Sequence, residues 1–115
     1  PPLSAYKPIK LQNMRKITKQ MAEAFTNFEP FNKDNTRVFI DRNFGNPMAE
    51  IYLHGNLIAR RFLNSGKVFV TNAGWKSNVT KERLNAIEGV RIYQKNFNWY
   101  LNGNQWEGDL VEVKG

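Results

Sequence analysis

Cysteine is absent from the 115 residues, which removes disulfides, thiolate nucleophiles and cysteine-based zinc sites together. A reducing compartment is compatible with that composition. His54 is the single histidine; just before Gly55 in a turn-forming run it serves backbone geometry, and no Ser-His-Asp set assembles around it. Nothing approaches the roughly 20 consecutive apolar residues of a membrane span, and the N-terminus lacks the basic, apolar and small-residue succession of a signal peptide. The expectation is therefore a soluble, intracellular protein, in which the formal sequon Asn78-Val79-Thr80 goes unmodified. There is no glycine-rich phosphate loop, since Gly103 and Gly108 belong to turn signals. Asp34, Asp41 and Glu50 could meet if their strands pair, a weak metal-nuclease suggestion, but they follow no metal-ligand spacing. No enzymatic activity, metal or cofactor is expected.

Acidic residues are also scarce. Ten Asp+Glu stand against 17 Lys+Arg, a formal net charge of +7, which favours polyanionic partners. The charge is concentrated in Gly74-Trp75-Lys76-Ser77-Asn78-Val79-Thr80-Lys81-Glu82-Arg83-Leu84, where an indole and three cations surround a predicted helix start. Free N–H groups there attract phosphate, and a neighbouring ring stacks on a base. Lys76, Lys81 and Arg83 lie where the helix dipole disfavours cations by a few tenths of a kcal/mol each. Arg15, Lys16 and Lys19 repeat the pattern at the first helix. The bland reading is two solvated faces with an ordinary Lys19–Glu23 pair.

Along the chain, residues 1–13 carry three prolines and no helical period, so they read as an extended N-terminal arm. Met14 is also compatible with a natural translation start, which would make that arm a remnant or a fused peptide. Met14, Ile17, Met21, Ala24, Phe25 and Phe28 recur at three- and four-residue steps and predict an amphipathic helix ending before Pro30. Glu29 to Asn35 reads as a turn-rich linker, and Arg37 to Asp41 as a strand. Ala49 to Leu53, Leu57 to Phe62 and Lys67 to Thr71 complete a meander of three strands or so, turned at His54-Gly55-Asn56 and Asn64-Ser65-Gly66. Ser77 or Asn78 caps a second helix that uses Thr80, Leu84 and Ile87 as its inner face and Gly89 as its left-handed end. Val90 to Lys95 returns as a strand with Arg91, Tyr93 and Lys95 on one face, an aromatic and basic interleaving suited to a nucleic-acid surface. Trp99 and Trp106 flank Asn102-Gly103-Asn104 as core candidates in a hairpin, and Leu110 to Val113 adds an edge strand.

Three blocks together resemble a known family. They are Leu53-His54-Gly55-Asn56-Leu57-Ile58-Ala59; Thr71-Asn72-Ala73-Gly74-Trp75 with Thr80-Lys81-Glu82-Arg83-Leu84-Asn85-Ala86-Ile87; and Tyr100-Leu101-Asn102-Gly103-Asn104-Gln105-Trp106-Glu107-Gly108. The likeness is to small tailed-bacteriophage proteins without an assigned activity, over about residues 14–108. It implies a phage origin, expression in a bacterial cytoplasm and a stand-alone domain, and it supplies no catalytic residues. The arm before Met14 and the tail after Gly108 depart from the pattern.

The reading is a single α+β domain over residues 14–115: an N-terminal helix packed on a bent, mostly antiparallel sheet, with a second helix inserted before the last hairpins. The expected function is non-enzymatic binding of DNA or RNA. Arg15, Lys16, Lys19, Lys76, Lys81, Arg83, Arg91 and Lys95 would meet phosphate, and Trp75 and Tyr93 would stack. The alternative is a module that binds and modulates a host protein, with the proline-rich arm docking as an extended peptide.

Overall fold

A computed structural model describes residues 13–42 and 45–114. Its elements run α1 (Lys16–Asn27), β1 (Phe31–Lys33), β2 (Thr36–Asp41), β3 (Met48–Leu53), β4 (Asn56–Phe62), β5 (Val68–Val70), α2 (Asn78–Asn85), β6 (Ile92–Lys95), β7 (Asn98–Leu101), β8 (Asn104–Gln105) and β9 (Val111–Glu112). Two antiparallel sheets result, ordered β1-β2-β3-β4-β5-β9 and β6-β7-β8. This is the α+β arrangement predicted. The arm expected over residues 1–13 lies outside the described residues except for Asn13.

Helix α1 buries Met21, Ala24 and Phe25 of its predicted stripe, together with Thr18 and Ala22. It stops because Phe28 turns left-handed, at φ 55°, and donates its backbone N–H to the Ala24 carbonyl. No basic residue occupies the last turn; Arg61 of β4 supplies the missing cation by donating to the Thr26 carbonyl at 2.8 Å. That places a positive group on the negative end of the helix dipole.

The stretch predicted as a linker before β2 contains a further strand, β1, paired with β2 in the register Phe31↔Val38 to Lys33↔Thr36. Asn32, Asp34 and Asn35 did signal a turn, but it is the two-residue turn Asp34-Asn35 inside a hairpin. Between β3 and β4, His54 and Gly55 hold φ 52° and 81°, the two positive angles of a type I′ turn. The register then shifts between Ile51 and Tyr52. Ile58 and the next residue, Ala59, are consequently both buried, which breaks the alternation that a regular strand imposes.

The second helix is shorter than its periodicity suggested. It ends at Asn85 and continues as tight turns, with Ala86 N–H to the Arg83 carbonyl and Ile87 N–H to the Leu84 carbonyl. Gly89 does take the left-handed angle, φ 83°, but beyond those turns. Leu84, Ile87, Ile92, Trp99, Leu101 and Trp106 join Met21, Phe25, Val38, Ile51 and Val70 in one hydrophobic core. β9 closes the large sheet beside β5, the edge position expected for the last strand.

The loop after β5 is tied to the one before β9. Asn72 is buried, its Oδ1 accepts from Gly74 N–H at 2.8 Å, and its own N–H donates to the Gly108 carbonyl at 3.0 Å. Gly108 has φ 95°, and a Cβ there would lie 2.2 Å from Asn72 Nδ2. Only glycine fits.

Candidate nucleic-acid interface

Strand period places the β6 residues Ile92 and Gln94 on one side and Tyr93 and Lys95 on the other, with Arg91 preceding them on the Tyr93 side. Ile92 is buried, Tyr93 half-buried, and Arg91 and Lys95 exposed. On the neighbouring strand Trp99 and Leu101 point into the core while Tyr100 lies opposite Tyr93. The Tyr93 and Tyr100 rings stack with centroids 5.2 Å apart and planes 8° from parallel. The Arg91 guanidinium lies over the Tyr93 ring at 5.6 Å. Aromatic and basic groups therefore share the solvent face of the small sheet, as the alternation predicted, with Tyr100 as a member the sequence reading missed. Treating Asn96-Phe97 as a two-residue turn would have found it, since that register pairs residue 93 with residue 100.

β6 is also an edge strand. Asn85 of α2 stands in for a strand partner, accepting from Ile92 N–H at 2.7 Å and donating to the Ile92 carbonyl at 2.9 Å. By the same two-residue period the main-chain N–H and C=O of Gln94 face away from β7. They open onto a groove of about 810 Å³ between α2 and the β6–β7 hairpin, lined among others by Asn78, Lys81, Gln94, Asn96 and Phe97. Lys81 spans it, with Nζ 3.4 Å from Gln94 Oε1 and 5.6 Å from the Trp99 ring centroid. Amide side chains, an ammonium and the main-chain edge at Gln94 can accept and donate to base edges while the cation meets phosphate.

The groove's carboxylate, Glu82, is already matched. Burial alone would raise its carboxyl, but hydrogen bonds from Thr18 and Arg15 and the charges of Arg15 and Arg83 outweigh that and hold it below the usual range. It therefore adds little repulsion toward an anion. Among the described residues Lys16, Lys19, Lys76, Lys81, Arg91 and Lys95 form no ion pair, and neither do Lys19 and Glu23. Arg15, at the start of the first helix, pairs with Glu82 at 3.3 Å and so borders α2, and Lys19 lies one turn along the same helix.

Arg83 is the correction. Predicted as a phosphate contact, it is 2 % exposed, with Nε donating to Thr36 Oγ1 at 3.1 Å and Nη1 to Thr18 Oγ1 at 2.8 Å and to Glu82. Burial lowers its pKa and Glu82 opposes that shift; the guanidinium stays charged. In a helix of eight residues it occupies the last turn rather than the first, where the dipole favours a cation. It joins α2 to α1 and β2 and is withdrawn from any ligand.

The helix start carries the side-chain cap expected of Ser77 or Asn78, and it is Ser77 that supplies it. Ser77 Oγ accepts from Thr80 N–H at 3.1 Å, so part of the expected phosphate site is filled by the chain itself. Trp75 is 63 % exposed and thus no core residue. It borders a different cavity, about 420 Å³, walled by Leu53, Ile58 and Val79, so it does not line the Tyr93 groove. Asp34, Asp41 and Glu50 do not converge: among the described residues no three acidic or histidine groups are placed to hold a metal. Glu50 instead takes a two-pronged contact from Arg60, at 3.0 and 2.9 Å.

A family model described as Kyanoviridae Gp96 protein matches residues 14–112. The chain belongs to this bacteriophage family. The Kyanoviridae Gp96 match spans α1 through β9 and therefore both sheets. No curated protein and no solved structure matches the chain. No described helix is long and apolar enough to cross a membrane.

Proposed function

We propose that this phage protein binds DNA or RNA without catalysis, through the β6–β7 hairpin and the adjoining groove. The observation that carries the reading is the Arg91–Tyr93–Tyr100 ladder beside Lys95, next to a groove whose carboxylate is matched and whose cation, Lys81, forms no ion pair among the described residues. A stacked tyrosine pair with a guanidinium over it offers π surface and positive charge to the same strand, a combination that tolerates any base sequence. Lys19, Lys76 and the net charge of +7 extend the attraction beyond the contact patch.

Titration of a fluorescent oligonucleotide with the protein and with an Arg91→Ala/Lys95→Ala variant tests this. The variant should bind more weakly on every sequence, with a salt slope smaller by about 1.4 on a single strand and about 1.8 on a duplex. Equal affinity and slope for the two proteins would remove the hairpin from the interface.

A further inference from the structure

The apex of the β6–β7 hairpin breaks two rules at one residue. Asn96 and Phe97 form a two-residue turn with φ 51° and 70°, a type I′ geometry whose second position favours glycine. A phenylalanine at positive φ is strained. Phe97 is moreover 91 % exposed, the most exposed of the large hydrophobic residues described. The apex thus carries a conformational cost and an unfavourable apolar exposure together, and glycine would relieve both. Strain and exposure at one position, on an element that already bears the aromatic and basic face, point to a contact made by the ring.

We infer that Phe97 stacks on an unpaired nucleobase, making the ligand single-stranded nucleic acid; this rests on the nucleic-acid reading above. Charge and chemistry choose the occupant. Lys95 precedes the turn, Lys81 and Asn78 line the same groove as Phe97, and Gln94 offers its main-chain edge between them. A strand lying along that groove places a phosphate on Lys81 and a base against the ring, with Lys95 beside the turn to meet the strand as it leaves, the arrangement of a stacking platform flanked by cations. A base held in a duplex is covered on both faces by its neighbours, so the ring needs unpaired bases.

The test uses the full chain with Phe97→Gly, Phe97→Leu and Phe97→Trp, and 12-mer DNA and RNA strands carrying one 2-aminopurine. Phe97→Gly should melt at the same temperature or higher, because the turn relaxes, while affinity for the single strand falls about tenfold or more. The salt slope should stay that of the parent, since no charge is lost. Phe97→Leu should bind as weakly as glycine and Phe97→Trp at least as tightly as the parent. The parent should quench 2-aminopurine and Phe97→Gly should not. A loss confined to DNA or to RNA assigns that strand as the ligand. If the parent binds oligonucleotides but Phe97→Gly binds equally well, if leucine restores binding, or if duplex is preferred, the inference is overturned and the basic-surface reading survives. If the parent binds no strand at low salt, both fall.

Discussion

Replacing Arg83 by methionine keeps most of the side-chain length and deletes the charge that joins α2 to α1 and β2. The loss is set by what the partners keep. Thr18 still donates to Glu82 at 2.8 Å, and Thr36 still donates to Asn35 Oδ1 at 2.8 Å. Both hydroxyls lose only an accepting role, and Glu82 retains Arg15. The change therefore falls below the roughly 3–5 kcal/mol of breaking a buried pair and stranding its partner, at about 2–3 kcal/mol. For a chain of this size that corresponds to a fall in Tm of about 10 °C. Arg83→Ala should cost about 2 kcal/mol more, because it also leaves a cavity.

Acid adds a second readout. Because the Glu82 carboxyl is held low in the fold, its contribution is complete above about pH 4.5 and is lost as pH falls through the lower folded value. Arg83→Met removes one of the charges responsible, so the variant's Tm should fall less steeply with acid. Thermal melts from pH 7 to pH 3 measure both effects. A variant that melts within about 2 °C of the parent, yet binds oligonucleotide more weakly, would show Arg83 to be a surface contact and refute the buried network.

Three further outcomes follow from the packing and the exposed rings. Gly108→Ala forces a Cβ onto the buried Asn72 amide at a positive φ and should cost more than about 2 kcal/mol in a denaturant titration, with Asn72→Ala partly rescuing it. Trp75→Ala should change stability by less than about 1 kcal/mol, since the ring is 63 % exposed, whereas a core tryptophan would cost about 3–5 kcal/mol. Tyr100→Ala should weaken oligonucleotide binding about as much as Tyr93→Ala, because each ring is one half of the same stack; an effect at only one of them would argue against a shared platform.

Most of the fold could be read from periodicity and turn chemistry. The Met21, Ala24 and Phe25 stripe, the His54-Gly55 and Asn102-Gly103 turns and the Ser77 cap each act locally, so the sequence carries them. What it concealed was set by tertiary partners. β1 is three residues long and is defined by pairing with β2 rather than by its own pattern. The end of α2 is fixed by Asn85 engaging Ile92, a contact seven residues apart in the chain. Arg83 looked like surface because arginine usually is, and its burial depends on Thr18 and Thr36 from distant elements. The candidate site divides the same way. Arg91, Tyr93 and Lys95 followed from alternation along one strand, but Tyr100 and Phe97 needed the β6–β7 register, which an Asn-Phe turn does not advertise.

The most direct test of the account is the affinity of the full chain for a 12-mer single strand, measured by fluorescence anisotropy at 50 and 200 mM salt. If Lys81, Arg91, Lys95 and the neighbouring lysines meet phosphate, log K should fall with log salt at a slope of about −2 to −4, near −0.7 for each phosphate contact on a single strand. Absence of binding at 50 mM, or binding indifferent to salt, would contradict it.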